Sequence, residues 1–278
     1  MPFFKFTTKK TEKKKQEQAR EFHQIETSSY WLPKDEDEQL RQTGQHFVIK
    51  EVFGGNVLSS ITEALDFDRG ISILDIGCGS GTWIMDMISE YPNCQYDGCD
   101  IVDVINKSIM LKQFTFKFGN ILETLPYKDN TFDFVQMRLF IAALKIDQWP
   151  EAIEEALRVP EEGGNEFHEM MVAVHNVFQA RNQNYRAGKE LERWVIENGK
   201  AKVIQTEFRR CDTTTGTNVA KKVAWCMLEL FNSTMTVAGP ALGLYTKKEQ
   251  DEYLEKVKNC MKTTCGFSRN YAVAAQKL

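Results

Sequence analysis

The most regular hydrophobic pattern of the chain is an apolar segment at residues 71–74, which a carboxylate and three glycines follow closely. An apolar run of this length before turn residues is typical of a buried strand. Apolar residues then recur at helical spacing from Trp83 to Ile88, and a Tyr-Pro pair at 91–92 ends that segment. The pattern predicts a strand, a tight loop and a helix in succession.

Segments of strand and helix character alternate along the rest of the chain. Strands are predicted at 71–74, 95–99, 114–118, 132–138, 165–170, 203–208 and 267–275. Helices are predicted within 39–60 (one or two, broken at 54–55), at 83–90, 104–110 and 149–159, over most of 171–200, and at 223–236 and 246–260. Thr246 and Glu249 predict a capping box at the last of these helices. Strands that alternate with helices indicate an α/β protein.

The loop after the first strand is the best candidate for a ligand site. Asp75 precedes Gly77, Gly79 and Gly81, and glycine lets a ligand approach the backbone closely. A dinucleotide fold needs G-x-G-x-x-G, but the third glycine here comes one residue early, and the charge of Asp75 would oppose a pyrophosphate. A ligand with a cationic amino-acid portion suits the carboxylate better, and S-adenosylmethionine (SAM) is such a ligand.

Three passages resemble a known family. Residues 74–81, Leu-Asp-Ile-Gly-Cys-Gly-Ser-Gly, resemble the first motif of the class I SAM-dependent methyltransferases, and residues 125–133, Leu-Pro-Tyr-Lys-Asp-Asn-Thr-Phe-Asp, resemble a second common passage of that family. The segment before the core resembles a fungal branch related to regulators of secondary metabolism, through Tyr30, Leu32, Pro33, the acidic run 35–38, Arg41, Gln45, His46 and residues 53–55. The resemblance implies a Rossmann-like, seven-stranded doubly wound α/β sheet with a helical lead-in and a C-terminal helical insertion.

The resemblance also implies which residues bind SAM. Its methionine part would lie against the loop residues Asp75, Gly77, Cys78, Gly79 and Gly81. Asp100 ends the second strand about 20 residues beyond the loop, where doubly wound folds hold ribose hydroxyls with a carboxylate. Ile101 would then lie against the adenine face.

Two further residues have alternative interpretations. Asn120 and Ile121 match family positions that contact the adenine amine and ring, but Asn120 is also an ordinary turn residue. Arg138, at the tip of the fourth strand, is predicted either to pair with the SAM carboxylate or an acidic substrate, or to form a surface ion pair. Asp133 is expected to brace that strand.

The chemistry of the acceptor side is less defined. His168 is a weak candidate for a general base, with Glu169 and His46 as alternatives, and a base is needed only if the nucleophile retains its proton. The family's usual Leu-Lys-Pro-Gly-Gly turn is replaced by Pro-Glu-Glu-Gly-Gly at 160–164. The register of the fifth strand is therefore open. The four histidines lack metal-ligand spacing, so no metal site is predicted.

Composition narrows the functional classes. The 278 residues carry a formal net charge of -4, so a generally basic nucleic-acid surface is not expected. No apolar run approaches the roughly 20 residues of a membrane helix, and the first residues lack a secretory apolar region. Seven cysteines without C-x-x-C spacing favour reduced intracellular thiols.

These observations predict one enzyme domain behind a polar tail. Residues 1–27 would be the tail, whose lysines at 9, 10 and 13–15 are either solvated or a nuclear address. Residues 28–278 would be the SAM-dependent domain, with a lead-in at 28–65, a cofactor core at 66–170 and a substrate side at 171–278. We predict a cytoplasmic methyltransferase that methylates a nucleophilic acceptor, and we expect the acceptor to be a small molecule in preference to a protein. The alternatives are a SAM-binding regulatory or scaffold protein with a protein partner, and an NAD-type oxidoreductase, which the loop spacing opposes.

Overall fold

The computed structural model of the chain describes residues 20–25, 28–105, 111–158, 165–166, 178, 180–184, 187–263 and 267–278. Its helices are α1 (Glu36–Phe53), α2 (Ser59–Ala64), α3 (Thr82–Glu90), α4 (Trp149–Arg158), α5 (Ala187–Asn198), α6 (Asn218–Ala238) and α7 (Lys247–Thr263). Its strands are β1 (Ser72–Ile76), β2 (Gln95–Asp100), β3 (Phe114–Phe118), β4 (Phe134–Met137), β5 (Asn165–Glu166), β6 (Ala201–Asp212) and β7 (Phe267–Lys277).

The first four strands form a parallel sheet in the order β3-β2-β1-β4. Strand β1 is central, and its residues Ile73 and Leu74 are fully buried, as expected for a parallel strand covered on both faces. Because all four strands run in the same direction, β1, β2 and β4 deliver Ile76, Asp100 and Met137 to one edge of the sheet. Ligands of open α/β sheets bind at this carboxyl edge.

The last three strands form an antiparallel sheet in the order β5-β7-β6. Strands β6 and β7 pair along almost their whole length, from Ala201 opposite Lys277 to Asp212 opposite Phe267. Both strands are longer than the sequence pattern predicts. The last strand pairs antiparallel with the fifth, with Asn165 opposite Asn270.

The two sheets share their hydrophobic cores. Val273 of β7 belongs to the same buried cluster as Val135 and Met137 of β4, and its neighbour Ala274 belongs to the cluster on the opposite face, with Phe134. An α/β, Rossmann-like fold is therefore confirmed. The single seven-stranded sheet is not, because the described strands separate into one sheet of four and one of three.

The first part of the lead-in packs on the long helix α6, whereas Ile61 of α2 packs with the strands of the parallel sheet. Trp31, Leu32 and Val48 share a buried cluster with Phe231 and Met235 of α6. Asp35 caps α1 by accepting from the backbone N–H of Glu38, and α1 ends at Gly54, which has the left-handed φ of 81° that glycine adopts without strain. The predicted break at 54–55 is thus confirmed.

The remaining elements follow the predicted pattern. The capping box at α7 is present, since Glu249 accepts from the N–H of Thr246 and the Thr246 hydroxyl accepts from the N–H of Glu249. The predictions for 106–110 and 167–177 lie outside the described residues. No described helix is both long and apolar enough to cross a membrane.

Candidate cofactor site

The glycine loop turns the chain sharply from β1 into α3. Gly77 has a φ of 68°, and a Cβ there would lie 2.5 Å from the ring of Phe140, so both conformation and space require glycine. The N–H groups of Gly77 and Cys78 donate to the carbonyl of Cys99, which ties the loop to β2. Gly81 begins α3 with a φ of 79°. The loop is therefore held by the backbone itself, and its outer face stays open.

A cavity of about 270 Å³ lies against this loop. Nine of the ten cofactor residues predicted from the sequence line it, namely Asp75, Gly77, Cys78, Gly79, Asp100, Ile101, Asn120, Ile121 and Arg138. The tenth, Gly81, lies at the start of α3, where a Cβ would meet the ring of Phe114. Residues from four strand ends thus meet around one space.

Asp75 is the most unusual group of the cavity. Its side chain is buried, with 5% of its surface exposed, and it accepts no hydrogen bond from any residue that the structure describes. Burial raises the pKa of this carboxyl to about 7, a rise that the nearby Asp100 assists and the cation Arg138 opposes. Burying a carboxylate without partners is costly. The position therefore suits a ligand that carries positive charge.

Asp100 holds the loop from the second strand. Its carboxylate accepts from the N–H of Gly79 at 2.9 Å and from the N–H of Val102 at 3.0 Å. Burial raises the pKa of this carboxyl although those backbone donors oppose the rise. A carboxylate has about four acceptor positions, so two remain for hydroxyl groups of a ligand.

Asn120 adopts the turn geometry that the sequence left as an alternative. Its side-chain oxygen accepts from the N–H of Leu122 at 3.1 Å, and its amide nitrogen donates to Glu123 at 3.1 Å. It lines the cavity as well, beside the buried Ile121. Asp133 braces the strands as predicted, accepting from the backbone and hydroxyl of Ser72 at 2.8 and 2.7 Å.

Arg138 follows β4 and faces the same cavity as Asp75. Its guanidinium donates to Nδ1 of His46 at 3.2 Å, and among the described residues it has no carboxylate within the 4.0 Å of an ion pair. The surface ion pair considered from the sequence is therefore not what this part of the chain shows. Burial lowers the pKa of Arg138, with Asp75 and Asp86 opposing that change.

Leu139 gives the end of β4 a strained turn. It has a φ of 63°, in the left-handed region that leucine rarely adopts, and it leads into a short helix at Phe140–Ala142. Such strain costs of order 1–3 kcal/mol and concentrates at functional sites. The turn sets Arg138 at the cavity wall and places Phe140 against the glycine loop.

The opposite wall comes from the lead-in and α6. Tyr30, Trp31, Phe178, Phe231 and Thr234 line it, and sequence motifs named none of the last three as site residues. Their only prior indication was their membership of apolar helical faces. Polar side chains of α1, among them Gln42 and Gln45, line the same cavity.

A fully buried ion pair supports this second wall. Glu38 has 0% of its surface exposed and accepts from Arg41 at 2.7 and 3.0 Å and from the Ser233 hydroxyl at 2.7 Å. Burial would lower the pKa of Arg41, but its bonds to Glu38 raise it overall. The hydrogen bond from Ser233 to Glu38 ties α6 to α1.

The base candidates differ in what can be said of them. His168 and Glu169 lie outside the described residues. His46 lines the cavity, yet both of its ring nitrogens are engaged, one with Arg138 and one with Asp86. Among the described residues, no group of three or more His, Cys, Asp or Glu side chains could hold a metal ion.

A comparison with known families gives a match for the cofactor core of the chain. Residues 73–164, which include the glycine loop and the first four strands, match a family model described as a methyltransferase domain. This part of the chain is thus similar to a methyltransferase domain. Its relatives are fungal regulators of secondary metabolism and other fungal methyltransferases. The resemblance seen in the sequence is thereby confirmed.

Three matches illustrate the range of similarity between this chain and known proteins. The secondary metabolism regulator laeA of Coprinopsis cinerea is 30% identical over 55% of this chain and 38% of its own length. The protein-methionine methyltransferase laeA of Emericella nidulans is 32% identical over 32% of this chain and 23% of its own length. Phosphoethanolamine N-methyltransferase 2 of Haemonchus contortus, a solved structure, superposes over 86% of this chain and 58% of its own with a TM-score of 0.49 and 16% identity. The chain spans less than half the length of the curated relatives it matches.

The cavity fits SAM, the cofactor that the sequence predicts. SAM has a cationic amine and a sulfonium at one end and hydroxyls and an adenine at the other. The cavity offers the partnerless carboxylate of Asp75 near the loop and the acceptor positions of Asp100 farther along the sheet edge. The donor set of the cavity and the groups of SAM are therefore complementary.

Proposed function

We propose that this chain transfers the sulfonium methyl group of SAM to a nucleophile and releases S-adenosylhomocysteine. The observation that carries this proposal is the buried carboxylate of Asp75, which has no partner among the described residues and lines a cavity beside a methyltransferase glycine loop. A group in that state is stabilised by a cationic ligand. The NAD-type oxidoreductase considered from the sequence receives no support from the family match.

The proposed placement assigns each part of SAM to one strand end. The loop residues Asp75, Gly77, Cys78, Gly79 and Gly81 would take the methionine part, with Arg138 beside them. Asp100 would accept the ribose hydroxyls, Ile101 would lie against adenine, and Asn120 with Ile121 would contact its edge and face. The support for this placement is that nine of these residues line one cavity, while Gly81 starts the helix above it.

The proposal extends to the organisation of the chain. Joining β4 to β5 would give a seven-stranded sheet in the order β3-β2-β1-β4-β5-β7-β6, and the shared cores of β4 and β7 support it. We further propose that residues 28–278 act as one domain, with the lead-in at 28–65, the cofactor core at 66–170 and the substrate side at 171–278. The tail proposed for residues 1–27 would lie outside that domain, although Arg20 in its described part pairs with Asp35 of the lead-in.

The catalytic contribution of the protein would be alignment and exclusion of water. Bound SAM supplies a methyl group that is already activated by the sulfonium. The aromatic wall of Trp31, Phe178 and Phe231 would keep water away and hold the acceptor in line with the transferred group. A nucleophile that carries no proton to lose, or that is deprotonated before attack, needs no base, and His46 has no free ring nitrogen to act as one.

The acceptor is proposed to be a small molecule, because aromatic side chains of the lead-in and α6 line the wall opposite the loop. The Emericella nidulans relative is named a protein-methionine methyltransferase, so a protein thioether is the second acceptor class to test. Cytoplasmic activity is proposed, with nuclear entry through the N-terminal lysines as the alternative. Imaging of the chain with and without Lys13→Ala, Lys14→Ala and Lys15→Ala separates these two locations.

The first experiment is calorimetric titration with SAM. Wild-type protein should bind in the micromolar range, and Asp100→Ala should lose at least about tenfold in affinity, which is about 1.4 kcal/mol. Asp97→Ala is the matched control, because Asp97 lies on the same strand but pairs with Lys117 at 3.8 Å. It should bind as the wild type does. A folded wild-type protein that binds no SAM would contradict the proposed function.

A further inference from the structure

Two opposite charges face one cavity without neutralising each other. Asp75 precedes the glycine loop and Arg138 follows β4, and the register places Asp75 opposite Gln136, two residues before Arg138. Each lowers the charge penalty of the other, yet they form no ion pair within 4.0 Å. A ligand that carries both an ammonium and a carboxylate would satisfy both groups at once.

The orientation of Arg138 depends on His46. Nδ1 of His46 accepts the guanidinium hydrogen bond at 3.2 Å, and Nε2 lies 2.9 Å from Oδ2 of Asp86. Since arginine only donates and a carboxylate only accepts, the imidazole must carry its proton on Nε2 and remain neutral. His46 is 3% exposed, so it has little freedom to turn.

Asp86 is itself fixed on helix α3. Its Oδ2 atom also accepts from Lys50 at 2.7 Å and from Asn56 at 2.9 Å, and Lys50 reaches Glu90 at 3.2 Å. Burial lowers the pKa of His46, and the cations Arg138 and Lys50 lower it further, against the effect of Asp86. Burial and the two cations therefore favour the neutral imidazole, which can accept from Arg138.

Arg138 retains most of its hydrogen-bonding capacity. A guanidinium has five donors, and the described residues use one of them. Its ring neighbour Trp83, 5.9 Å away, leaves the donor edge of the guanidinium free. An arginine that one hydrogen bond holds in place, and whose other donors are free, suits a carboxylate ligand. Guanidinium and carboxylate groups pair through two parallel hydrogen bonds.

We propose that His46, held by Asp86, is a positioning residue that presents Arg138 to the carboxylate of the methyl donor's amino-acid end, while Asp75 takes its ammonium. This inference rests on the proposed function. The ammonium and the carboxylate of an amino acid are attached to the same carbon. A site that binds both groups must therefore offer a negative and a positive side chain next to each other. Asp75 and Arg138 are two such side chains. The hydrogen bonds from Arg138 to His46 and from His46 to Asp86 would hold Arg138 so that it does not pair with Asp75.

The test compares three ligands that differ only at this end. S-adenosylhomocysteine has both groups, its decarboxylated analogue S-adenosylthiopropylamine keeps the amine, and 5′-methylthioadenosine has neither. Calorimetry of Arg138→Met should show at least an approximately tenfold loss for S-adenosylhomocysteine and little change for the other two ligands. Asp75→Asn should weaken the first two ligands and spare the third.

The positioning role has its own readout. His46→Ala should weaken only S-adenosylhomocysteine, by several-fold, and His46→Gln should recover part of the loss because an amide both accepts and donates. Asp86→Asn should follow His46→Ala. The Asp97→Ala variant should leave all three affinities unchanged. Circular dichroism melts identify any variant that has not folded. If His46→Ala does not fold, the affinities of His46→Gln provide the test.

The outcomes separate the two proposals. Equal losses for S-adenosylhomocysteine and its decarboxylated analogue would make His46 a structural residue and overturn the inference. Unchanged binding of S-adenosylhomocysteine by folded Arg138→Met would also overturn it and would leave Arg138 to an acidic acceptor. In both cases the ligand still binds and the proposed function stands. If the wild type binds none of the three ligands, the proposed function itself fails.

Discussion

Glu38 and Asp75 are buried carboxylates in opposite walls of one cavity, and they differ in their partners. Glu38, on helix α1, receives Arg41 at 2.7 and 3.0 Å and Ser233 at 2.7 Å. Asp75, at the end of β1, receives no hydrogen bond from the described residues, and its pKa rises to about 7. The same chemical group is thus a structural link in one wall and an open binding site in the other.

The difference shows how burial should be interpreted. A buried charge that is paired is weak support for a functional role, because its partners explain it. A buried charge without partners costs free energy that folding alone does not return. Partners therefore distinguish the two walls better than exposure does, since the exposed fractions are 0% for Glu38 and 5% for Asp75.

The largest effect should come from Glu38→Gln. It leaves the guanidinium of Arg41 buried without its anion, which typically costs about 3–5 kcal/mol of unfolding free energy. Urea unfolding at neutral pH measures it. Glu36→Gln, a change of the same kind at an exposed position of the same helix, is the control and should cost far less. Equal losses in the two variants would remove the structural role given to Glu38.

The second effect should come from Asp75→Asn, and it should have the opposite sign. Because the folded-state pKa lies near 7 and the usual value is 3.8, the folded wild type binds more protons and loses stability as pH rises through that interval. At pH values above the folded-state pKa, the loss of unfolding free energy reaches about 4 kcal/mol. Asp75→Asn avoids this loss, so the variant should be more stable than the wild type. The stabilisation should be larger at about pH 8 than at about pH 5, by about 2–3 kcal/mol.

Urea unfolding at both pH values, without ligand, tests this second prediction. Asp68→Asn, at an exposed position, should show no such pH dependence. A stabilisation that is the same at both pH values would mean that Asp75 is not a strained carboxylate, and the comparison with Glu38 would fail. The same variant should bind SAM more weakly than the wild type, so stability and binding should change in opposite directions.

The smallest effect should come from Arg20→Ala. Arg20 pairs with Asp35 at 2.7 Å and approaches Glu38 to 3.7 Å, with about a fifth of its side chain exposed. A partly exposed pair of this kind is worth about 1 kcal/mol or less. Thermal melts measure the loss of stability in Arg20→Ala. Lys34→Ala, which removes the more exposed ion pair with Glu21, is the comparison variant. A loss as large as that of Glu38→Gln would show that Arg20, rather than Arg41, neutralises Glu38.

The loop side of the site could be predicted because its determinants are local. The glycine spacing, the strand before it and the carboxylate 19 residues beyond Gly81 all lie within one strand-loop-helix-strand unit, and the structure brings them to one cavity. Asn120 shows the limit of this approach. Its residue type fits a ligand contact and a turn equally well, and the turn hydrogen bonds to Leu122 and Glu123 appear only in the structure.

The other wall could not be predicted, because its contacts join distant parts of the chain. Ser233 is 195 residues from Glu38, and Arg138 is 92 residues from His46. Nothing in the apolar pattern of α6 distinguishes Phe231 or Thr234 from ordinary core residues. The strand count was equally dependent on long-range pairing, and the described residues give two sheets where the resemblance implied one.

By itself the sequence determined the alternation of strands and helices, the class of the glycine loop and the family of its domain. Each of these follows from spacing over a few residues, where backbone sterics and hydrophobic periodicity act. Only the tertiary structure decided which carboxylate is paired, which arginine is presented by a histidine, and which helices close the cavity. Charges interact through space with a strength set by distance and burial, and sequence separation carries neither quantity.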